Sequence, residues 1–236
     1  NEEVAEYLKL PRITWEEVRS ETYQTRTFEI LKEANCILKD DHFVYTSGDH
    51  GPVYVAKDKL SINPIALDEI GMMMADLCKH LPIDTVVAPA VGAIALGHIV
   101  AKYLSYYTGK TINSVYFEKS EEFAHNGEEK FKITRGFEVL VTGKNIMVVE
   151  DISNSGGSAK RIMNCVSEAD GIPIGTVVVC NRGNVKPEDI KEGTELVNLS
   201  KVTMEKFPEE NCPLCLSNVQ INTTFGHGKK FLSTRN

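Results

Sequence analysis

The sequence predicts an α/β protein with a doubly wound, mainly parallel central sheet flanked by helices, and three observations carry that expectation. Apolar runs of strand length, TVVAP from residue 85, NIMVVE from 145 and IGTVVVCNR from 174, are nearly continuous, the mark of strands buried on both faces. The first two lead through glycine-containing loops into helix-compatible segments, so strand and helix alternate along the chain. No internal repeat, low-complexity tract or Pro/Gly-rich linker divides the 236 residues, which fits one domain.

Each element has its own justification. TWEEVRSETYQTRTFEILKEANCIL, residues 14–38, opens on Thr14 as a cap candidate with Glu17 three residues on, the capping-box pattern, and continues with helical spacing at Phe28, Ile30 and Leu31. It reads as the first long helix. HFVYTSGDHGPVYVAKD, residues 42–58, has two short β-prone runs around Ser47–Gly51 and reads as a pair of strands with an exposed loop. LDEIGMMMADLCKHL reads as a helix. TVVAPAVGAIALGHIVAKYLSYYTG runs from a strand through Pro89 and Gly92 into a helix, and TINSVYFEK returns as a strand. After a polar, glycine-containing stretch at 120–130 the same grammar recurs: strand 145–150, loop, helix to about Ala169, then IGTVVVCNR as a strand. Ligands on such sheets sit at the carboxyl ends of strands, where the loops 88–93 and 151–158 fall.

Composition narrows the function. With 42% hydrophobic residues, and 26 basic against 33 acidic ones for a net charge of −7, the chain argues against a broad nucleic-acid or anionic-membrane surface; an anion site must be local. No apolar stretch approaches the roughly 18–20 residues of a membrane span, and NEEVAEYLKL is acidic where a signal peptide is basic, so a cytoplasmic protein is expected. Cys36, Cys78, Cys165 and Cys180 sit in apolar segments as reduced core thiols. Cys212 and Cys215 form the pair CPLC, half of a tetrahedral zinc site. No second CxxC or closely spaced His pair accompanies it, and His227 is a poor substitute, so no metal site is assigned. The tail GHGKKFLSTRN reads as a flexible basic end, with a cover over the site as the alternative.

The chemistry concentrates in VVEDISNSGGS. A helix start offers unpaired N–H groups and partial positive charge, and glycines let a phosphate approach the backbone, so residues 153–158 suit one phosphate. Glu150 and Asp151 are poor phosphate ligands but good acceptors for vicinal sugar hydroxyls. The ligand implied is a phosphorylated sugar. The plainer alternative is a strand-to-helix turn in which Asp151 caps the helix and the glycines only make the bend. The spacing of this turn differs from the Walker pattern, which needs Gly-Lys-Ser/Thr, so a nucleoside triphosphatase is disfavoured.

VVEDISNSGGS resembles the phosphoribosyl-pyrophosphate (PRPP) motif of the type I phosphoribosyltransferases. Ordered matches to HFVYTSGDHGPVYVAKD, APAVGA, FEK, TRGFEV, VVCNR and CPLC extend the resemblance over most of residues 42–216, nearest to the orotate phosphoribosyltransferase branch. The resemblance implies a core of about 64–185 with a small hood from the terminal segments, about 1–63 and 186–236. It implies that Glu150 and Asp151 hold the ribose hydroxyls of PRPP and that Asn154, Ser155, Gly156, Gly157 and Ser158 wrap its 5-phosphate. Ala90, Val91, Gly92 and Ala93 resemble a loop whose backbone contacts pyrophosphate, often through a strained peptide bond. Helix-sheet packing is the plainer use of that turn. Lys119 resembles a lysine that contacts pyrophosphate at the start of a mobile loop, the stretch 118–134 here, which in the family commonly reaches a neighbouring subunit. Arg182 matches an arginine that reaches the base, and Tyr54 an aromatic wall beside it. By composition alone these three are a solvated lysine, a surface salt bridge and a core tyrosine.

The activity implied is Mg²⁺-dependent transfer of 5-phosphoribosyl from PRPP to orotate in a homodimer, with Mg²⁺ carried on pyrophosphate and no dedicated protein cage. Thr46 and Gly92 stand where family members carry lysines, Glu121 and Glu122 make the lid acidic, and Asn154 replaces a threonine. A purine or other base as acceptor, or a PRPP-binding regulator without turnover, therefore remain as alternatives.

Overall fold

The computed structural model describes residues 15–123, 129–202 and 204–235. Helix α1 (Trp15–Glu33) stops five residues short of the helix expected through Leu38. Asn35 turns left-handed at φ 53°, which asparagine tolerates, while its N–H donates to Lys32 O and that of Cys36 to Leu31 O, closing a Schellman-type end. Thr14, the cap candidate, lies outside the described residues.

The next correction concerns pairing. β1 (Ile37–Leu38) is antiparallel to β4 (Tyr54–Val55), and β2 (Phe43–Val44) pairs with β3 (His50–Gly51), residues expected in the loop. Tyr45 N–H donates to Asp49 O at 2.8 Å and closes that hairpin early, which frees the second β-prone run to pair with the end of the first segment. A helical turn, α2 (Asp58–Ser61), leads to α3 (Pro64–Cys78), which starts with Pro64 and an Asn63 cap accepting from Ala66 N–H at 3.1 Å.

The central sheet is then laid down in order: β5 (Thr85–Pro89), α4 (Ile94–Thr108), β6 (Asn113–Phe123), β7 (Glu129–Lys132), β8 (Asn145–Ser153), α5 (Gly157–Glu168), β9 (Ile172–Asn181), α6 (Pro187–Ile190) and β10 (Glu195–Lys201). Its spatial order is β10-β9-β8-β5-β6-β7, parallel throughout except for β7. This is the doubly wound, mainly parallel sheet that the apolar runs predict. From β5 the chain steps outward to β6, then returns to β8 and steps the other way, so the strand order reverses between β5 and β8. Ligand sites of open α/β sheets form at such a reversal. The edge strand β10, ELVNLSK, is only half-buried for most of its length, so it lacks the continuous apolar run that marks its neighbours.

Successive strand residues face opposite layers, which accounts for the unbroken apolar runs. Val86, Met147 and Val149 pack with Ile70, Met74, Leu96 and Val100 of α3 and α4; Val87, Ile146 and Val148 pack with Ile162, Met163 and Val166 of α5. The polar stretch after TINSVYFEK forms a two-stranded ribbon, because β6 continues to Phe123 and pairs with β7; His125 and Gly127 lie outside the described residues. The C-terminal segment carries α7 (Pro213–Leu216) and α8 (Gly228–Ser233) and docks on the β2–β3 hairpin through His227 N–H to Val44 O at 2.8 Å. That contact favours the cover over the flexible end. Among the described residues no helix is long and apolar enough to cross a membrane.

Candidate active site

Adjacent strand ends bring the expected residues together. Glu150 and Asp151 lie in the C-terminal half of β8, and residues 90–93 follow β5, its neighbour in the sheet. A Cβ added to Gly92 would lie 3.4 Å from Asp151 Oδ2 and 3.8 Å from Lys57 Nζ, so this loop faces the acids across the strand-order reversal. Ala90 N–H donates to Phe117 O at 2.9 Å, the Ala90–Val91 peptide is cis, Val91 is 82% exposed and Ala93 is buried.

The two acids differ. Glu150 is 7% exposed, and burial, then the charge of Asp151, pushes its pKa up from 4.5 to about 7; the Ser158 hydroxyl opposes this by hydrogen bonding to its carboxylate. Asp151 is ionically paired: Lys57 Nζ lies 2.9 Å from Oδ2 and 3.2 Å from Oδ1, and Oδ1 also accepts from Ile152 N–H at 2.7 Å. Burial opposes the charge of Lys57, but Asp151 and Glu150 outweigh it and raise its pKa. Asp151 is thus held by Lys57, and the N-cap of α5 is Gly156, with no side-chain cap. The helix-cap alternative fails on that geometry.

Gly156 needs both its properties: φ is 73°, and a Cβ there would sit 2.9 Å from Ile190 Cγ1. The first turn of α5 leaves amides unpaired, as any helix start does. Gly183 holds the neighbouring loop against this one, since a Cβ would lie 1.5 Å from the Asn154 carbonyl oxygen, and Arg182 N–H donates to Ser153 O at 2.9 Å. Arg182 is thereby fixed beside the 153–158 turn.

A cavity of about 250 Å³ is lined by Arg182, Asn154, Ile152, Lys57, Tyr45, Thr46, Tyr54, Val55 and His227. The Arg182 guanidinium stacks 5.3 Å from the Tyr45 ring centroid, and Tyr54 packs on Phe43 and Phe225. His227 Nε2 lies 3.1 Å from Thr46 Oγ1. Lys119, on β6, is 59% exposed and ion-paired to Glu129 of β7 at 2.7 Å; it belongs to the ribbon.

Two residues of this site escape sequence reading. Lys57 is an unremarkable lysine after the run VYVA, and Tyr45 an aromatic in a β-prone run. Only the path of the chain after β4 brings the Lys57 charge to Asp151, where Thr46 and Gly92 supply none.

Residues 57–212 match the family model of the phosphoribosyl transferase domain. An orotate phosphoribosyltransferase of Thermotoga maritima is 30% identical over 86% of this chain and 98% of its own length, and one of Thermoanaerobacter sp. is 31% identical over 78% and 88%. The crystal structure of Mycobacterium tuberculosis orotate phosphoribosyltransferase in complex with Fe(III) dicitrate superposes with a TM-score of 0.58 at 20% identity, covering 76% of this chain and 97% of that one. With the acid pair, the glycine turn and the doubly wound sheet in the expected order, the chain belongs to the phosphoribosyltransferase family and is a PRPP-dependent transferase by that membership.

Proposed function

We propose that the chain transfers the 5-phosphoribosyl group of PRPP to a ring nitrogen of orotate, forming orotidine 5-monophosphate and releasing pyrophosphate. One observation carries this reading: a single cavity joins Arg182, a guanidinium suited to a carboxylated base, to Asn154 of the phosphate turn and to Lys57 on Asp151. The names of the relatives support it.

Glu150 and Asp151 accept hydrogen bonds from the ribose hydroxyls, and residues 154–158 wrap the 5-phosphate with amides and hydroxyls. The backbone of Ala90–Ala93, with Lys57, faces the leaving pyrophosphate, and Lys119 supplies a further cation from the β6–β7 ribbon. Arg182 anchors the base, and Tyr45 and Tyr54 wall it in. Bond breaking at the anomeric carbon puts positive charge on the sugar and negative charge on the leaving group, so the residues act by electrostatic stabilisation and exclusion of water. The donor set fits Mg²⁺ carried by substrate: one carboxylate is buried and the other is bound to Lys57, which leaves no protein cage but suits an ion held on phosphate oxygens. Such an ion would neutralise the developing charge of pyrophosphate. The same reading includes a homodimer in which the β6–β7 ribbon reaches the partner's site.

The test is ultraviolet loss of orotate on mixing the protein with PRPP and Mg²⁺, repeated with Arg182→Ala. Loss should require both, and the variant should raise the KM for orotate roughly 30-fold or more while leaving that for PRPP nearly unchanged, since a charge-assisted bond is worth about 2 kcal/mol or more. Turnover of adenine or hypoxanthine alone would overturn the base assignment; PRPP binding without turnover of any base would identify a regulator.

A further inference from the structure

We propose that His42, His50, Cys212 and Cys215 form a structural zinc site. Sequence reading sees only CPLC and assigns no metal, because the second ligand pair lies some 170 positions away, His42 just before β2 and His50 on β3. Folding brings one ligand atom of each residue within 4.8 Å of the other three. His42 Nε2 lies 2.9 Å from His50 Nδ1 and 3.7 Å from both sulfurs, and Cys215 Sγ lies 3.3 Å from His50 Nδ1. A tetrahedral zinc with two imidazoles and two thiolates has ligand–ligand edges of roughly 3.3–3.8 Å, given Zn–N near 2.0 Å and Zn–S near 2.3 Å. The two nitrogens need move apart by only a few tenths of an ångström.

The surroundings also suit a metal. His42 Nδ1–H donates to the Val219 carbonyl at 2.8 Å, which directs the Nε2 lone pair into the cluster, the usual outer support of a ligating histidine. His42, His50 and Cys212 are fully buried, where thiols and imidazoles alone would satisfy one another poorly. Backbone bonds hold every ligand segment: Asn222 N–H to His42 O, Phe207 N–H to His50 O, and Leu216 N–H to Cys212 O.

Zinc binding releases the two thiol protons and closes a loop between the hairpin and the C-terminal segment. The hairpin carries Tyr45 and Thr46, and the C-terminal segment His227, all of which line the Arg182 cavity. The metal is therefore a clasp between the hairpin and the C-terminal segment, which both line the cavity. This holds whichever base the enzyme uses.

The experiment measures zinc in the reduced, gel-filtered protein by mass spectrometry, beside Cys215→Ser, His50→Ala and a Cys165→Ser control whose thiol lies outside the cluster. The expected result is about one zinc per chain in the wild type and control, loss in the other two variants, and a lower Tm after chelation that zinc restores. If those variants do not fold, Co²⁺ added to chelated wild-type protein reads the same site: strong visible bands with thiolate charge transfer are expected. A protein with free thiols that takes up neither metal, a Cys212–Cys215 disulfide in its place, or zinc retained by Cys215→Ser would each overturn the assignment.

Discussion

Replacing Glu150 with Gln should stabilise the protein, and do so only as the pH rises. In the folded chain this carboxyl titrates at about 7 rather than 4.5, because burial and the neighbouring Asp151 disfavour its charge. Below pH 4.5 it is protonated folded and unfolded alike, and costs nothing. Between 4.5 and 7 the native state binds more protons than the unfolded state, so wild-type stability falls as pH rises; above 7 both are ionised and the cost is constant. A displacement from 4.5 to about 7 corresponds to about 3 kcal/mol. Gln keeps an acceptor for Ser158 without the charge. Its advantage over wild type should therefore grow by roughly 2–3 kcal/mol from pH 5 to pH 8, or several degrees in Tm for a chain of this size. Urea unfolding of both proteins at the two pH values measures it. A gap that does not change with pH would refute the reasoning. The same variant should lose PRPP affinity, since the amide NH₂ replaces an acceptor. For wild type, PRPP binding near pH 7 should release a proton, because donated hydroxyl bonds favour the carboxylate; binding enthalpies in buffers of different ionisation heat detect it.

Two other substitutions address the rest of the site. Lys57→Gln should lower turnover about 100-fold, by analogy with loss of one preorganised polar contact, while costing about 1 kcal/mol of stability because the side chain is half-exposed; unchanged kcat would remove Lys57 from the leaving-group region. Gly183→Ala forces a Cβ into the Asn154 carbonyl and should cost roughly 1–3 kcal/mol, raising KM for both PRPP and base because Asn154 and Arg182 move apart; an effect on one substrate alone would show that the two loops are not coupled.

Much of this molecule is written in local patterns. Apolar runs report strands buried on both faces, and Glu150, Asp151 and Gly156 report an acid pair at a strand end followed by a glycine turn into a helix, because strand burial and helix-start geometry depend on residues adjacent in the chain. The sheet's outer elements are less legible: ELVNLSK is half-buried, and the end of α1 hinges on Asn35 turning left-handed. Local pattern alone yields the α/β class, the glycine turn and the two acids at a strand end. Folding alone brings distant side chains together: Lys57 on Asp151, Arg182 against Tyr45 and, apart from these, His42 and His50 beside Cys212 and Cys215. Such pairings follow from the paths of the N- and C-terminal segments, and contacts made between residues far apart in the chain leave no local periodicity to read.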